Sequence, residues 1–342
     1  RNWVCRAEAL HMWYLVVALD APLYRALARG ADPVGPVRYP ALGPGAALAL
    51  FDVERRRNLT AGAVSGAFHE FRGGRFNDLS CGKVRAVAHI LRAGLHVLFL
   101  DADVGILSVP LALIPTDGHC HYAYQADLAP RRDVACNEVG GTGNTGVYWA
   151  RNSSEMVRWF FAVEGECRAH PDLDDQENFW QVFRRVLQAE LGLAMGNSCG
   201  TPNPKSPYVC ALSPCVAPNG YVQADPVPRR LLERLQGRAP VVVHPNFVSG
   251  GAQKRAMLRN LSLWVGDGPD QCSAKRARAL SEAWGPQTEG MWLLERAHRY
   301  VTPVARRSHR LALVWGRAVL VAAGMAVVYW LCKGGSRAPS SK

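Results

Sequence analysis

Two carboxylates one residue apart close a short apolar run, Leu95-His96-Val97-Leu98-Phe99-Leu100-Asp101-Ala102-Asp103. The run reads as a buried strand. Side chains of an extended chain alternate faces, so Asp101 and Asp103 project to the same side, roughly 6.5–7 Å apart along the backbone. Both reach one divalent cation from there. A hard ion such as Mg²⁺ or Mn²⁺ suits two carboxylates plus the phosphate oxygens of a nucleotide. Asp-x-Asp also occurs in ordinary turns, and what raises this one above chance is its place at a strand's carboxyl end, where α/β sheets gather ligands.

Other polar residues sit in comparable places. Val241-Val242-Val243 reads as a further buried strand with His244 at its end, although a strand-terminal histidine more often caps or faces solvent than ligates. Gly250, Gly251 and Lys254 follow in what reads as a loop able to wrap a pyrophosphate. The run Gly140-Gly141-Thr142-Gly143-Asn144-Thr145 precedes a strand, Gly146–Ala150. With no helix start behind it, the run reads as a turn that lets backbone approach a ligand rather than as a phosphate cradle. Asp174 or Asp175 opens a helix in which Phe179, Val182, Phe183, Val186 and Leu187 recur at three and four residues. The first turn of that helix presents Asp175, Gln176 and Asn178.

The elements that must position these groups follow from periodicity. Tyr14–Leu19 and Ala46–Phe51 read as strands, separated by a helical segment, Pro22–Arg29, and a Gly/Pro-rich loop from Gly30 to Gly45. Ser80 is placed to cap a helix whose apolar face is Val84, Val87, Ala88 and Leu91 and which Gly94 ends. A further helix spans about Ser154 to Val163. Strand, helix and strand, with the Asp pair at the crest, is a βαβ signature, and the expected class is α/β with one domain over residues 1–270.

Composition narrows the partners. The net charge of the 342-residue chain is +12, but residues 1–270 hold 28 basic and 25 acidic residues whereas residues 271–342 hold 12 and 3. Basicity belongs to the tail, so no nucleic-acid partner is expected for the main domain. None of the ten cysteines forms a Cys-x-x-Cys pair. Cys199, Cys210 and Cys215 crowd one loop, where a disulfide would pin a connection with little core. Glycosylation sequons at Asn58, Asn152 and Asn260 fit the same oxidising setting. The chain opens on Arg1 rather than Met and without a leader pattern, so part of the N-terminus is expected to precede it. Residues 271–310 read as a basic linker, 311–332 as a possible membrane-spanning or terminal helix that would anchor the protein, and 333–342 as a polar tail.

Lys83, Leu98-Phe99-Leu100-Asp101-Ala102-Asp103, Asn144-Thr145-Gly146, Asp175-Gln176 and His244-Pro245-Asn246 with Gly250 and Lys254 occur in this order along the chain. In that combination the chain resembles the nucleotide-diphospho-sugar transferase domain of glycosyltransferase family 77, over about residues 2–264. The resemblance implies a GT-A fold, a central, mostly parallel sheet flanked by helices with an acceptor-binding half. It implies retaining, metal-dependent transfer of a pentose or galactose from a UDP-sugar to a glycoprotein or polysaccharide acceptor in the Golgi lumen. Asp101 and Asp103 would then make the metal and ribose contacts, with His244 the third protein ligand to Mn²⁺ or Mg²⁺. Lys254 would hold the diphosphate, and Lys83 and Gly250 would join the donor-binding set. Asn144 and Asp175 would bind the donor sugar and Gln176 would lie beside the anomeric carbon, which makes Asp175 and Gln176 the catalytic candidates. Retention needs either a carboxylate nucleophile, for which Asp175 stands, or front-face attack in which the diphosphate accepts the proton.

Two other classes compete. A GT-A scaffold that binds without catalysing would be expected to have lost one of Asp101, Asp103, His244 and Lys254, and all four are present. A metal-dependent phosphodiesterase or nucleotidyltransferase usually needs a second metal, hence more carboxylates near Asp101 than the sequence offers.

Overall fold

The structure is a computed structural model that describes residues 2–10, 12, 14–19, 24, 46–50, 74–115, 120–127, 143–187, 194–196, 208–221, 228–248, 250–265, 318–321 and 325–326. In chain order the elements are α1 (Asn2–Ala9), β1 (Tyr14–Ala18), β2 (Ala46–Leu50), α2 (Gly74–Arg92), β3 (His96–Leu100), β4 (Gly105–Ile106), β5 (Cys120–Ala126) and β6 (Gly143–Ala150). There follow α3 (Ser154–Ala169), α4 (Asp175–Val182), β7 (Ala194–Gly196), β8 (Tyr208–Leu212), α5 (Pro228–Arg234), β9 (Val242–Val243), α6 (Gly251–Asn260), β10 (Ala318–Val321) and β11 (Met325–Ala326).

The central sheet has the order β10-β3-β6-β5-β8-β7, with a smaller sheet β11-β1-β2 and a β4-β9 ribbon beside it. β3 runs parallel to β10, and β8 parallel to β5 and β7, but β6 lies antiparallel between β3 and β5. Five of the six strands therefore point the same way and β6 alone is reversed, so the sheet is mostly parallel with one antiparallel strand inside it. Periodicity does not single out β6, because these strands are buried on both faces. Val97 and Phe99 pack into one apolar cluster and Leu98 and Leu100 into the other. Tyr148 and Val147 divide in the same way on β6. Such strands read as continuous apolar runs whichever way their neighbours point.

The first cluster lies under α2, α3 and α4 and is rich in rings, with Tyr122, Tyr148, Trp159, Phe160 and Phe179 in mutual contact. A Cys81–Cys167 disulfide ties α2 to α3, and Cys120–Cys210 ties neighbouring strands β5 and β8. Closing loops of 86 and 90 residues restricts the unfolded chain, an effect on the order of 4 kcal/mol each in the chain-entropy picture. Cys210 thus pairs across the sheet rather than within its loop; Cys5 and Cys215 are also disulfide-bonded, and Cys199 lies outside the described residues.

Several boundaries differ from the sequence reading. α2 begins at Gly74, so Ser80 is interior; its Oγ donates to Asn77 O at 3.0 Å instead of capping. Gly94, at φ +90°, does end that helix. Ser153 caps α3, which runs on to Ala169. Asp174 caps α4, which passes into a π turn at Phe183–Leu187. Within 311–332, the described residues form β10 and β11 rather than a helix. An Ala-Val-Leu-Val run serves a strand as well as a helix, and apolar character alone does not separate them. Among the described residues no helix is long and apolar enough to cross a membrane. The segments 30–45, 271–310 and 333–342, the sequon at Asn58 and the helical segment 22–29, apart from Tyr24, lie outside the described residues.

Candidate functional site

β3 stops at Leu100, and the chain turns at once: Asp101 N–H donates to Gly146 O at 2.7 Å and Val104 N–H to Asp101 O at 3.0 Å. The Asp pair therefore converges through a tight turn and not through the alternation of an extended strand. The turn leads into β4, whose Gly105 pairs with Val243 of β9, and this ribbon sets His244 beside the carboxylates. His244 Nε2 lies 3.7 Å from Asp101 Oδ2 and 3.5 Å from Asp103 Oδ1. One donor atom from each of the three residues falls within 4.8 Å of the others.

The imidazole is held in a specific orientation. His244 Nδ1 and Gln125 Oε1 are 2.8 Å apart, and Gln125 Nε2 donates to Ala217 O at 2.9 Å and Pro218 O at 3.0 Å. With its amide nitrogen committed to two carbonyls, Gln125 offers only oxygen, so Nδ1 carries a proton toward it and Nε2 faces the carboxylates. An oxygen acceptor behind the distal ring nitrogen is the usual support for a metal-ligating histidine.

The set fits a divalent cation on a second ground. Asp101 Oδ1 and Asp103 Oδ1 are buried and accept no hydrogen bond. Buried carboxylate oxygens left without donors are costly unless a cation answers them. Burial pushes the Asp101 carboxyl up to about 6, with Asp103 adding to the rise and Lys83 opposing it. Burial acts the same way on Asp103, but Lys254 and His244 outweigh it and hold that carboxyl well below the usual range.

Lys254 reaches Asp103 Oδ2 at 2.6 Å from the first turn of α6. The sequence placed it in a loop, but Gly250, at φ +82°, ends the loop and starts the helix. Gly250 lacks a side chain to cap the first-turn N–H groups, which leaves a helix N-terminus suited to an anion beside a lysine.

A second limb of the site hangs on α2 and α4. Ser80 and Lys83, three residues apart, share a face of α2. Asp175 N–H donates to Ser80 Oγ at 3.4 Å, while Lys83 Nζ lies 2.8 Å from Asp175 Oδ2 and 3.7 Å from Asp101 Oδ1. Burial alone would lower the Lys83 ammonium; Asp101 and Asp175 instead raise it above the usual lysine range, so it stays charged. Gln176, next in α4, accepts from Asn144 Nδ2 at 3.2 Å and Thr145 N–H at 3.3 Å, and donates to Asp127 Oδ2 at 2.7 Å. Asn246 Nδ2 donates to the other oxygen of Asp127 at 3.0 Å.

β6 joins the limbs. On its β5 side the partner of Tyr124 is Tyr148 but that of Gln125 is Asn144, so residues 145–147 bulge. The glycine-rich run thus enters the sheet at Gly143 rather than remaining a turn. Within the bulge Gly146 N–H donates to Asn144 Oδ1 at 2.7 Å. A Cβ on Gly146 would stand 2.3 Å from His244 Cε1 and 2.6 Å from Asp101 Oδ2, so only glycine lets backbone come this close to the cluster.

A family model described as nucleotide-diphospho-sugar transferase matches residues 9–258, a span that contains every side chain of both limbs. The chain belongs to the nucleotide-diphospho-sugar transferase family. No curated protein matches it. In a nucleotide-diphospho-sugar transferase the reaction parts a sugar from a nucleoside diphosphate, and members often use a divalent metal; Asp101, Asp103 and His244 are a group that could bind one.

The structure brings Asp101, Asp103, His244, Lys254, Lys83, Asp175, Asn144 and Gln176 into one connected group, and Gly250 enters it by starting the helix that carries Lys254. Sequence reasoning missed Gln125 and Asp127. Their signal was visible: Tyr-Gln-Ala-Asp at a strand's carboxyl end repeats the two-residue spacing of Asp101 and Asp103.

Proposed function

We propose that this chain is a metal-dependent, retaining glycosyltransferase of the family 77 type. In this reading it moves a pentose or galactose from a UDP-sugar to a glycoprotein or polysaccharide acceptor. The observation that carries the reading is the half-buried Asp101 and Asp103 gathered on buried His244, with one oxygen of each carboxylate accepting no hydrogen bond and Lys254 beside them. Asp101, Asp103 and His244 would hold Mn²⁺ or Mg²⁺, which would supply a positive charge for the oxygens of the leaving diphosphate. Lys254 and the N-terminus of α6 add charge at the same oxygens, where negative charge grows as the glycosyl bond breaks.

On the sugar side, Asn144 and the Lys83–Asp175 pair orient the donor, and Gln176 lies beside the anomeric carbon. Asp175 is buried and paired with Lys83, so its negative charge faces the cationic sugar while its oxygens are poorly placed to leave that partner. This favours front-face transfer. The anomeric carbon–oxygen bond to the diphosphate breaks, the acceptor oxygen bonds to the same face, and the acceptor's proton passes to the departing diphosphate oxygen. The two described disulfides and the sequons at Asn152 and Asn260 support a lumenal, Golgi setting.

The test is to incubate the chain with UDP-galactose, UDP-xylose and UDP-arabinopyranose in Mn²⁺ and follow UDP release, then read the configuration of the released sugar by proton NMR at early time. Metal-dependent release with the donor's anomeric configuration retained is expected. Release indifferent to metal removal, or an inverted product, contradicts the proposal.

A further inference from the structure

Two turns meet at the edge of the site, and each presents an aromatic ring. Tyr221 and Phe247 stack with ring centroids 3.9 Å apart and planes 25° from parallel. Phe247 is 49% exposed, one of two large apolar side chains so exposed among the described residues; the other, Leu111, belongs to a short 3-10 turn at Pro110–Leu113. A single exposed ring is ordinary, but this one is expensive to keep. Its backbone sits at φ +61°, a region that costs a bulky residue on the order of 1–3 kcal/mol.

The frame that enforces this conformation is polar and runs into the site. Asn219 Nδ2 donates to Ala126 O at 3.1 Å and its Oδ1 accepts from Tyr221 N–H at 3.1 Å, fixing the first turn to the end of β5. Gly220 N–H donates to Asn246 Oδ1, and a Cβ at Gly220 would overlap Asn246 O, so the second turn lies directly on the first. Asn246 in turn holds Asp127, which holds Gln176, and His244 is three residues before Phe247. One face of the Phe247 ring is covered by Tyr221. A flat apolar surface next in the chain to Asn246, which holds Asp127, suits a pyranose or furanose ring, which has a C–H face and a polar edge.

We propose that Phe247, backed by Tyr221, is the platform on which the acceptor's sugar ring lies beside the donor. The proposal rests on the glycosyltransferase reading above and adds the acceptor subsite to it. The platform makes no demand on donor binding, because neither ring belongs to the Asp101–Asp103–His244 group.

The test uses the full chain saturated with UDP and Mn²⁺, confirmed by calorimetry. Methyl β-D-galactopyranoside, methyl β-D-xylopyranoside and methyl α-L-arabinofuranoside serve as probes in saturation-transfer NMR. At least one glycoside should receive saturation from wild type and from Phe247→Tyr. Phe247→Ala and Phe247→Gly should weaken it about tenfold, the scale of losing one aromatic anchor, with UDP affinity unchanged. Phe247→Gly keeps the test valid against misfolding, since glycine accepts the positive φ and should melt no lower than wild type. Equal glycoside binding by Phe247→Gly and wild type overturns the platform, as does a UDP-saturated wild type that binds none of the three. A wild type that does not bind UDP with Mn²⁺ overturns the donor reading itself, and the platform with it.

Discussion

The carboxyl ends of β3 and β5 carry the same spacing of polar residues, Asp101-x-Asp103 and Gln125-x-Asp127, and do opposite things. At the first, the two carboxylates are half-buried and one oxygen of each, Asp101 Oδ1 and Asp103 Oδ1, accepts no hydrogen bond. At the second, the polar groups have protein partners: Gln125 bonds two carbonyls and His244, and Asp127 accepts from Gln176 and Asn246. One end keeps carboxylate oxygens that accept no hydrogen bond, and the other holds the neighbours in place. Identical spacing at equivalent places thus yields either a binding group or its support, depending on whether the surrounding protein supplies hydrogen-bond partners.

Substitutions at the two ends should therefore part company. Asp103→Asn removes a charge that the cation needs, and transfer should fall on the order of 10³-fold, several kcal/mol of transition-state stabilisation, with an unchanged circular dichroism spectrum. Gln125→Leu leaves all three ligands but removes the acceptor that orients His244. Mn²⁺ affinity measured by titration should fall about 10- to 100-fold, and equal affinity would mean that the Gln125 contact does not set the imidazole. Asp127→Asn presents an amide donor to Gln176 or Asn246. Turnover should drop by about 1–2 kcal/mol, roughly five- to thirtyfold, while UDP binding in Mn²⁺ stays at the wild-type value.

The same contrast has a pH signature. Burial raises the Asp101 carboxyl to about 6, and a cation binds only its ionised form. Protons compete with metal below that value, so Mn²⁺ affinity should rise with pH through about 6 and be about tenfold weaker at pH 5 than at pH 7. A flat profile over this range would place Asp101 outside the ligand set.

Much of this was legible in the sequence, for identifiable reasons. The apolar runs that end at Asp101 and His244 are strands buried on both faces, a pattern that survives any sheet topology. Asp174 and its polar first turn announce α4 because an acidic N-cap is a local signal. What failed depends on partners distant in sequence. The antiparallel placement of β6, the bulge at residues 145–147 and the Cys120–Cys210 bond are set by packing between strands, not by local periodicity. Two glycines ahead of Lys254 predict a loop, yet Gly250 is a helix start. Gln125 was overlooked because its meaning lies wholly in His244, 119 residues away.

The most direct test of the central claim is calorimetric titration of UDP into the full chain with Mn²⁺ and after chelation, repeated on Asp103→Asn. The account predicts binding to wild type that chelation abolishes and that Asp103→Asn does not show in either condition. Equal UDP binding with and without Mn²⁺, or by the folded Asp103→Asn variant, would contradict it.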